Sequence, residues 1–186
     1  MYLRVSLFLC IAFLFPSKSF SNDLLNPESY CGLAVLKQAF LQYNPIEKDV
    51  ENALSVLRVQ AAKRKGFNTF LEIKESAQRA GFRTYAIEAR LSDLQKVQGK
   101  AQIIVNITGN RHFALVRTIS SSGVRVYIPG LQFPEITLSV DEFKRYCDGA
   151  ALLVSKGVIP LDDLSLTSIP QNKLCAIMGA QDCKNC

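Results

Sequence analysis

Residues 31–41 read Cys-Gly-Leu-Ala-Val-Leu-Lys-Gln-Ala-Phe-Leu, an apolar run that is interrupted only by Lys37 and Gln38. A helix on a protein surface has one apolar face, whereas this segment is apolar almost all the way round, which is typical of a helix buried within a domain. We therefore predict a central helix over residues 31–41, against which the rest of the domain packs.

Two more helices are predicted directly after it. Asn44 is expected to cap the second helix, with Pro45 at its first helical position. Apolar residues then recur with helical spacing at Ile46, Val50, Ala53, Leu54 and Leu57. The pattern Thr69-x-x-Glu72 is a capping box that predicts the start of a third helix, and Gly81 is expected to end it.

The sequence changes character after Gly81, where short β-branched segments alternate with glycines. The predicted strands are 83–87, 101–106, 112–119, 124–127 and 150–154. One helical turn over 91–94 and a short helix that begins with the capping box Ser139-x-x-Glu142 lie between them. Helices followed by an antiparallel sheet predict a single α+β domain over residues 22–154, with N-terminal helices packed on the sheet.

The composition excludes several classes of protein. The chain has 186 residues, 48% of them hydrophobic, and is therefore too apolar to be disordered. It has a single histidine, which excludes zinc sites that need two or three imidazoles. We expect no metal and no cofactor.

Residues 1–21 resemble a secretory signal peptide. Arg4 supplies a positive start, residues 5–15 form an apolar run, and Ser19 and Ser21 are small residues at a cleavage site. The run is shorter than the ~20 residues that span a bilayer, so we expect cleavage and no integral membrane segment afterwards. Export to the periplasm, the cell envelope or the medium follows. Cleavage also removes Arg4 and Lys18, which lowers the formal charge from +6 to +4, too little to indicate nucleic acid as a partner.

Five of the six cysteines remain after cleavage, because Cys10 lies in the apolar run. An odd number in an oxidising compartment leaves one thiol unpaired. We expect disulfide bonds among Cys147, Cys175, Cys183 and Cys186, which can pair in three ways and would fasten a cysteine-rich tail, residues 155–186, to the domain.

Cys31 is the thiol whose position indicates chemistry. It begins the central helix, where the helix dipole favours a thiolate and the first backbone N–H groups can hold an oxyanion. His112, the only histidine, begins a predicted strand and could serve as its base. The alternative is that Cys31 is structural, because most cysteines on apolar helices are small buried hydrophobes or disulfide partners.

The order of several short motifs resembles peptidase family thirty-nine of the cysteine peptidases, known from double-glycine leader cleavage in bacteriocin-exporting ABC transporters. The motifs are Tyr30-Cys-Gly32, the segment 65–81, Asn110-Arg-His-Phe113, Val126-Tyr-Ile-Pro-Gly130, Leu138-Ser-Val-Asp-Glu-Phe143 and Ala151-Leu-Leu-Val154. The resemblance implies a papain-like fold over residues 25–154 and a stand-alone exported relative. It also implies Cys31 as nucleophile and His112 as general base.

Two catalytic groups that this resemblance implies are absent. The triad aspartate, sixteen residues after the histidine and just before a proline, is replaced by Ile128. The oxyanion glutamine, six residues before the nucleophile, is replaced by Leu25, with Asn26 beside it as a shifted candidate. Glu135 and Asp141 are candidates for a different acid.

Three functions therefore stay open at this point. The first is an exported cysteine peptidase acting on a peptide or protein, with association with an export system as a further expectation. The second is a degenerate relative that binds a peptide or a partner protein without cleaving it. The third is a disulfide-stabilised or redox-linked envelope protein in which Cys31 is structural.

Overall fold

A computed structural model describes residues 31–63, 68–107, 112–159 and 166–177. The helices in these ranges are α1 (Cys31–Leu41), α2 (Glu47–Lys63), α3 (Phe70–Arg79), α4 (Leu91–Val97), α5 (Val140–Tyr146) and α6 (Gln171–Leu174). The strands are β1 (Arg83–Glu88), β2 (Gln102–Ile107), β3 (His112–Ser120), β4 (Gly123–Tyr127), β5 (Glu135–Leu138), β6 (Cys147–Ser155) and β7 (Thr167–Ser168).

The strands form one antiparallel sheet in the order β5-β4-β3-β2-β6-β1-β7. Phe113 at the start of β3 pairs with Asn106 near the end of β2, and His112 pairs with Ile107. The start of β6 lies at the same level, because Cys147 also pairs with Ile107. One end of the sheet therefore gathers the first residues of β3 and β6. The predicted α+β architecture is confirmed.

Alternate residues of the strands face two separate hydrophobic clusters, as the pleat of a sheet requires. The first face packs against α1, α2 and α3 and contains Ile104, Phe113, Leu115 and Leu152. The second face packs against α4 and α5 and contains Ile103, Val105, Ala114 and Leu153. The sheet thus lies between two helical layers.

The predicted central helix is confirmed with its predicted bounds, and eight of its 11 residues are buried. Its C-terminal end is fastened by Phe40, whose ring stacks on Phe82 with centroids 4.6 Å apart. Just after the helix, the Tyr43 hydroxyl donates to the Val154 carbonyl at 2.9 Å. The segment is buried because helices and sheet surround it, which explains why it lacks a polar face.

Both predicted capping boxes are present. The Thr69 N–H donates to Glu72 Oε2 at 2.8 Å and the Glu72 N–H donates to Thr69 Oγ1 at 3.2 Å. The same reciprocal pair joins Ser139 and Glu142 at the start of α5. α3 ends just before Gly81, whose φ of +81° is a left-handed conformation that suits glycine.

The predicted start of the second helix is wrong. Asn44 does not cap α2, which begins at Glu47, because Asn44 has a φ of +42° in the turn that follows α1. Its carbonyl there accepts a hydrogen bond from Lys156 Nζ at 3.5 Å. Ile46, expected on the buried face, is consequently 71% exposed.

Sequence patterns missed β5, β7 and α6, which are all short. β7 pairs with the end of β1, and the Ile169 N–H donates to the Ala86 carbonyl at 2.9 Å. Leu174 and Cys175 are fully buried in the first-face cluster. The described part of the predicted tail therefore packs on the same core as residues 31–154. Among the described helices, none has both the length and the apolarity needed to cross a membrane.

Candidate active site

Cys31 is the first residue of α1 and lies against the start of β3. The backbone of Phe113 is within hydrogen-bonding distance of its thiol, as are the backbone groups of Cys31 and Gly32. Phe113 is held in place from the other side, because its ring stacks on Phe70 with centroids 4.7 Å apart. The fold thus brings the predicted nucleophile to the residue next to the predicted base.

Burial raises the pKa of the Cys31 thiol, and the backbone hydrogen bonds from Phe113, Gly32 and Cys31 oppose this only in part. The position at a helix N-terminus predicts the opposite direction, a lowered pKa of Cys31. The difference arises because Cys31 is only 7% exposed, and loss of water disfavours a thiolate more than the helix end favours it. Burial therefore favours the neutral thiol over the thiolate.

His112 begins β3 and is half-buried, and this burial lowers the pKa of its imidazole. Within the described residues, its Nδ1 atom has no hydrogen-bond partner. A neutral imidazole and a neutral thiol are the protonation states that a general base and its nucleophile need before reaction.

The position of the missing triad acid lies on the same face as the histidine. His112 pairs with Ile107, which belongs to the second-face cluster, and paired residues of antiparallel strands share a face. Ile128, directly after β4, packs against that same cluster. Its N–H donates to the Pro134 carbonyl at 2.7 Å. An apolar side chain therefore stands where the family's aspartate is expected.

Neither alternative acid is hydrogen-bonded to His112 Nδ1. Glu135 instead forms an ion pair with Arg117, with Oε1 3.2 Å from Nε. Asp141 is exposed in the first turn of α5. In the part of the chain that the structure describes, no carboxylate takes the place of the triad acid.

Several predicted residues lie outside the described ranges. These are the signal segment 1–21, Leu25 and Asn26, and the tail cysteines Cys183 and Cys186. The three described cysteines form no disulfide bond with one another. Cys147 packs against the second-face cluster and Cys175 lies in the first-face cluster, so the sheet separates them. Cys147 and Cys175 are therefore not bonded to each other in the described structure.

The structure adds one residue that the sequence did not single out. Asn68 is fully buried and lies against Gly32, beside the nucleophile. It directly precedes the capping box of α3, and that position was its only signal in the sequence.

Over the same described ranges, no three His, Cys, Asp or Glu side chains cluster as metal ligands would.

The model of the peptidase C39 family matches residues 25–158, which is well over half of the chain. The chain belongs to the peptidase C39 family. The resemblance stated from the sequence motifs is thereby confirmed, and the chain contains a cysteine peptidase-like domain. No curated protein is similar enough in sequence to match it.

Solved structures of C39 peptidase domains share the fold. One is a double-glycine motif protease from an AMS/PCAT transporter in complex with the leader peptide, with 20% identity and a TM-score of 0.53, covering 68% of this chain and 84% of that chain. Another is the peptidase domain of Streptococcus ComA, a bifunctional ABC transporter of quorum sensing, with 24% identity and a TM-score of 0.56, covering 68% and 91%. A third is the C39-like domain of a toxin secretion ATP-binding protein from Vibrio parahaemolyticus, with 17% identity and a TM-score of 0.51, covering 69% and 98%.

Proposed function

We propose that this C39-family chain is an active cysteine peptidase that cleaves a peptide bond of an exported peptide or protein. Cys31 is the nucleophile and His112 is the general base. The observation that carries the proposal is the contact of the Cys31 thiol with the backbone of Phe113, the neighbour of His112.

The first half of the reaction forms a thioester. His112 takes the proton from the Cys31 thiol as the sulfur attacks the carbonyl carbon of the substrate. Backbone N–H groups at the start of α1 stabilise the negative charge that develops on the carbonyl oxygen. The intermediate collapses when the imidazolium of His112 gives its proton to the leaving amine, which departs as the C-terminal product.

The second half releases the N-terminal product. Neutral His112 takes a proton from a water molecule, whose oxygen attacks the thioester carbonyl. The proton then returns from the imidazolium to the sulfur, which restores the neutral thiol. The raised pKa of Cys31 and the lowered pKa of His112 are consistent with this neutral resting state.

The apolar residue at position 128 limits the rate of this chemistry. In a serine peptidase triad, replacing the aspartate by asparagine lowers kcat by about 10⁴-fold. Without a carboxylate at Ile128, neither the tautomer nor the imidazolium form of His112 is stabilised by charge. We therefore expect slow turnover.

The substrate class and the location of the protein are part of the same proposal. A relative of the same fold was solved with a leader peptide bound, which favours a peptide substrate. The signal-like residues 1–21 favour action outside the cytoplasm. Because relatives are parts of ABC transporters, association with an export system is proposed here too.

A second candidate is a domain that binds a peptide without cleaving it. The specific observation in its favour is the absence of a described partner for His112 Nδ1, together with Ile128 at the acid position. In that case the domain would bind a peptide while the base is too poorly oriented to act.

Incubation of the full chain with a mixed peptide library, followed by mass spectrometry of new termini, separates the two candidates. We expect slow cleavage that is abolished by Cys31→Ser and strongly reduced by His112→Ala. Cys175→Ser is the matched control, because this cysteine is buried elsewhere in the first-face cluster. Peptides that remain bound but intact would support the binding function and exclude the peptidase.

A further inference from the structure

Asn68 lies where the start of α1, the middle of α2 and the start of α3 meet. Its side chain is fully buried, and its Nδ2 donates to the Leu57 carbonyl of α2 at 3.1 Å. This bond determines which way the amide points, because the opposite orientation would bring two oxygens together. The backbone of Asn68 leads directly into the capping box of Thr69, so its position is well defined.

The other end of the amide touches the residue that follows the nucleophile. A Cβ atom placed on Gly32 would lie only 2.8 Å from both the Cβ and the Oδ1 atom of Asn68. Real Cβ atoms do not approach other atoms so closely, so Asn68 is in direct contact with the backbone of Gly32. The first turn of α1 thus contacts Asn68 through Gly32, and its Cys31 thiol lies close to the backbone of Phe113.

Asn68 Oδ1 is buried and has no hydrogen-bond partner among the described residues. Leaving a buried acceptor without a partner costs about 1–3 kcal/mol, whereas an apolar side chain of the same shape avoids that cost. The amide is therefore not explained by its contribution to stability. Its distinguishing contact is with the turn that carries Cys31.

We propose that Asn68 is a positioning residue for Cys31. By fixing Gly32 against α2, it keeps the sulfur close to the Phe113 N–H and to the first N–H groups of α1. These groups favour the thiolate form and would hold the oxyanion, so the placement of the turn sets the reactivity of the thiol. The inference deepens the proposed function, because it treats Cys31 as the group that reacts.

Titration of the Cys31 thiolate tests this directly. Ultraviolet absorbance of the full-length protein is followed against pH, and the same titration of Cys31→Ser is subtracted to remove the other thiols. In Asn68→Ala the turn loosens and the N–H groups act less on the sulfur, so the pKa of Cys31 should rise further, by about half a unit or more. Gly32→Ala disturbs the same contact from the other side and should move it in the same direction.

Thr69→Ala is the matched control, because it removes the adjacent helix cap without touching Gly32. It should lower the free energy of unfolding by about 1 kcal/mol and leave the titration of Cys31 unchanged. An unchanged or lowered pKa of Cys31 in a folded Asn68→Ala variant would overturn the inference, as would the same rise in Thr69→Ala. Failure of the proposed function shows separately, as an absence of cleavage by the wild-type protein.

Discussion

Arg117 binds Glu135, with 3.2 Å between Nε and Oε1, and the same guanidinium donates to Gln38 Oε1 at 3.0 Å. It also lies over the ring of Tyr127, 5.4 Å from the centroid. The guanidinium of Arg117 in β3 therefore links the central helix α1 to β4 and β5. The carboxylate of Glu135, a candidate for a substitute triad acid, is thus part of a structural network.

We expect Glu135→Gln to leave His112 unaffected. His112 is the only histidine, so its imidazole signal can be followed alone by NMR. Its titration should match that of the wild-type protein, because the partner of Glu135 is Arg117. The pair is partly exposed, so its loss should lower the free energy of unfolding by less than about 1 kcal/mol in a urea titration. A clear shift of the His112 titration would contradict this assignment.

Introducing a carboxylate by Ile128→Asp should strengthen catalysis. Ile128 lies on the same sheet face as His112, so an aspartate there can accept a hydrogen bond from Nδ1 and stabilise the imidazolium. We expect the pKa of His112 to rise and peptide turnover to increase by about tenfold or more.

Ile128→Asn is the matched control for this experiment, because an amide of similar size accepts a hydrogen bond but carries no charge. It should raise turnover less than the aspartate does. Both variants should lose about 1–3 kcal/mol of stability, because Ile128 packs against the second-face cluster. If Ile128→Asp folds and neither the His112 titration nor turnover changes, the two side chains do not meet.

The burial of His112 predicts a loss of stability in acid. The pKa of His112 in the folded protein is below its value in the unfolded chain, so the unfolded chain binds the proton more readily. The contribution of neutral His112 to the free energy of unfolding is therefore fully present above the unfolded pKa of about 6.5. This contribution is lost as the pH decreases through the folded pKa.

Urea unfolding at a series of pH values between 7 and 4, in the wild-type protein and in His112→Gln, measures this contribution. Because glutamine does not titrate in this range, the variant should lose less stability on acidification. Identical pH profiles for the two proteins would show that His112 is as accessible to protons when folded as when unfolded.

The segment after the family-matched residues should contribute to stability. Leu174 is fully buried in the first-face cluster, although it lies beyond residue 158 where the family match ends. Leu174→Ala should lower the free energy of unfolding by about 2–5 kcal/mol. The neighbouring Lys173 forms only an exposed pair with Glu88, so Lys173→Ala should change it by less than about 1 kcal/mol. Equal effects of the two variants would mean that the segment does not pack as described.

Local patterns in the sequence were sufficient for the longer elements. The central helix, both capping boxes and the positions of β1 to β4 and β6 follow from periodicity and capping chemistry, which act over a few residues. The patterns failed at Asn44, where the turn that follows α1 overrides a good N-cap residue. They also failed for β5 and β7, because strands of four and two residues depend on their partners and carry almost no signal of their own.

The sequence by itself determined the family, the candidate pair Cys31 and His112, and the loss of the family's aspartate at Ile128, because residue types and their order carry that information. Only the tertiary structure decided the state of the pair. Burial raises the pKa of Cys31 although it begins a helix, Glu135 is bound to Arg117, and Asn68 touches Gly32 across 36 positions of the sequence. Desolvation and contact depend on which distant segments surround a side chain, and that is established only when the chain has folded.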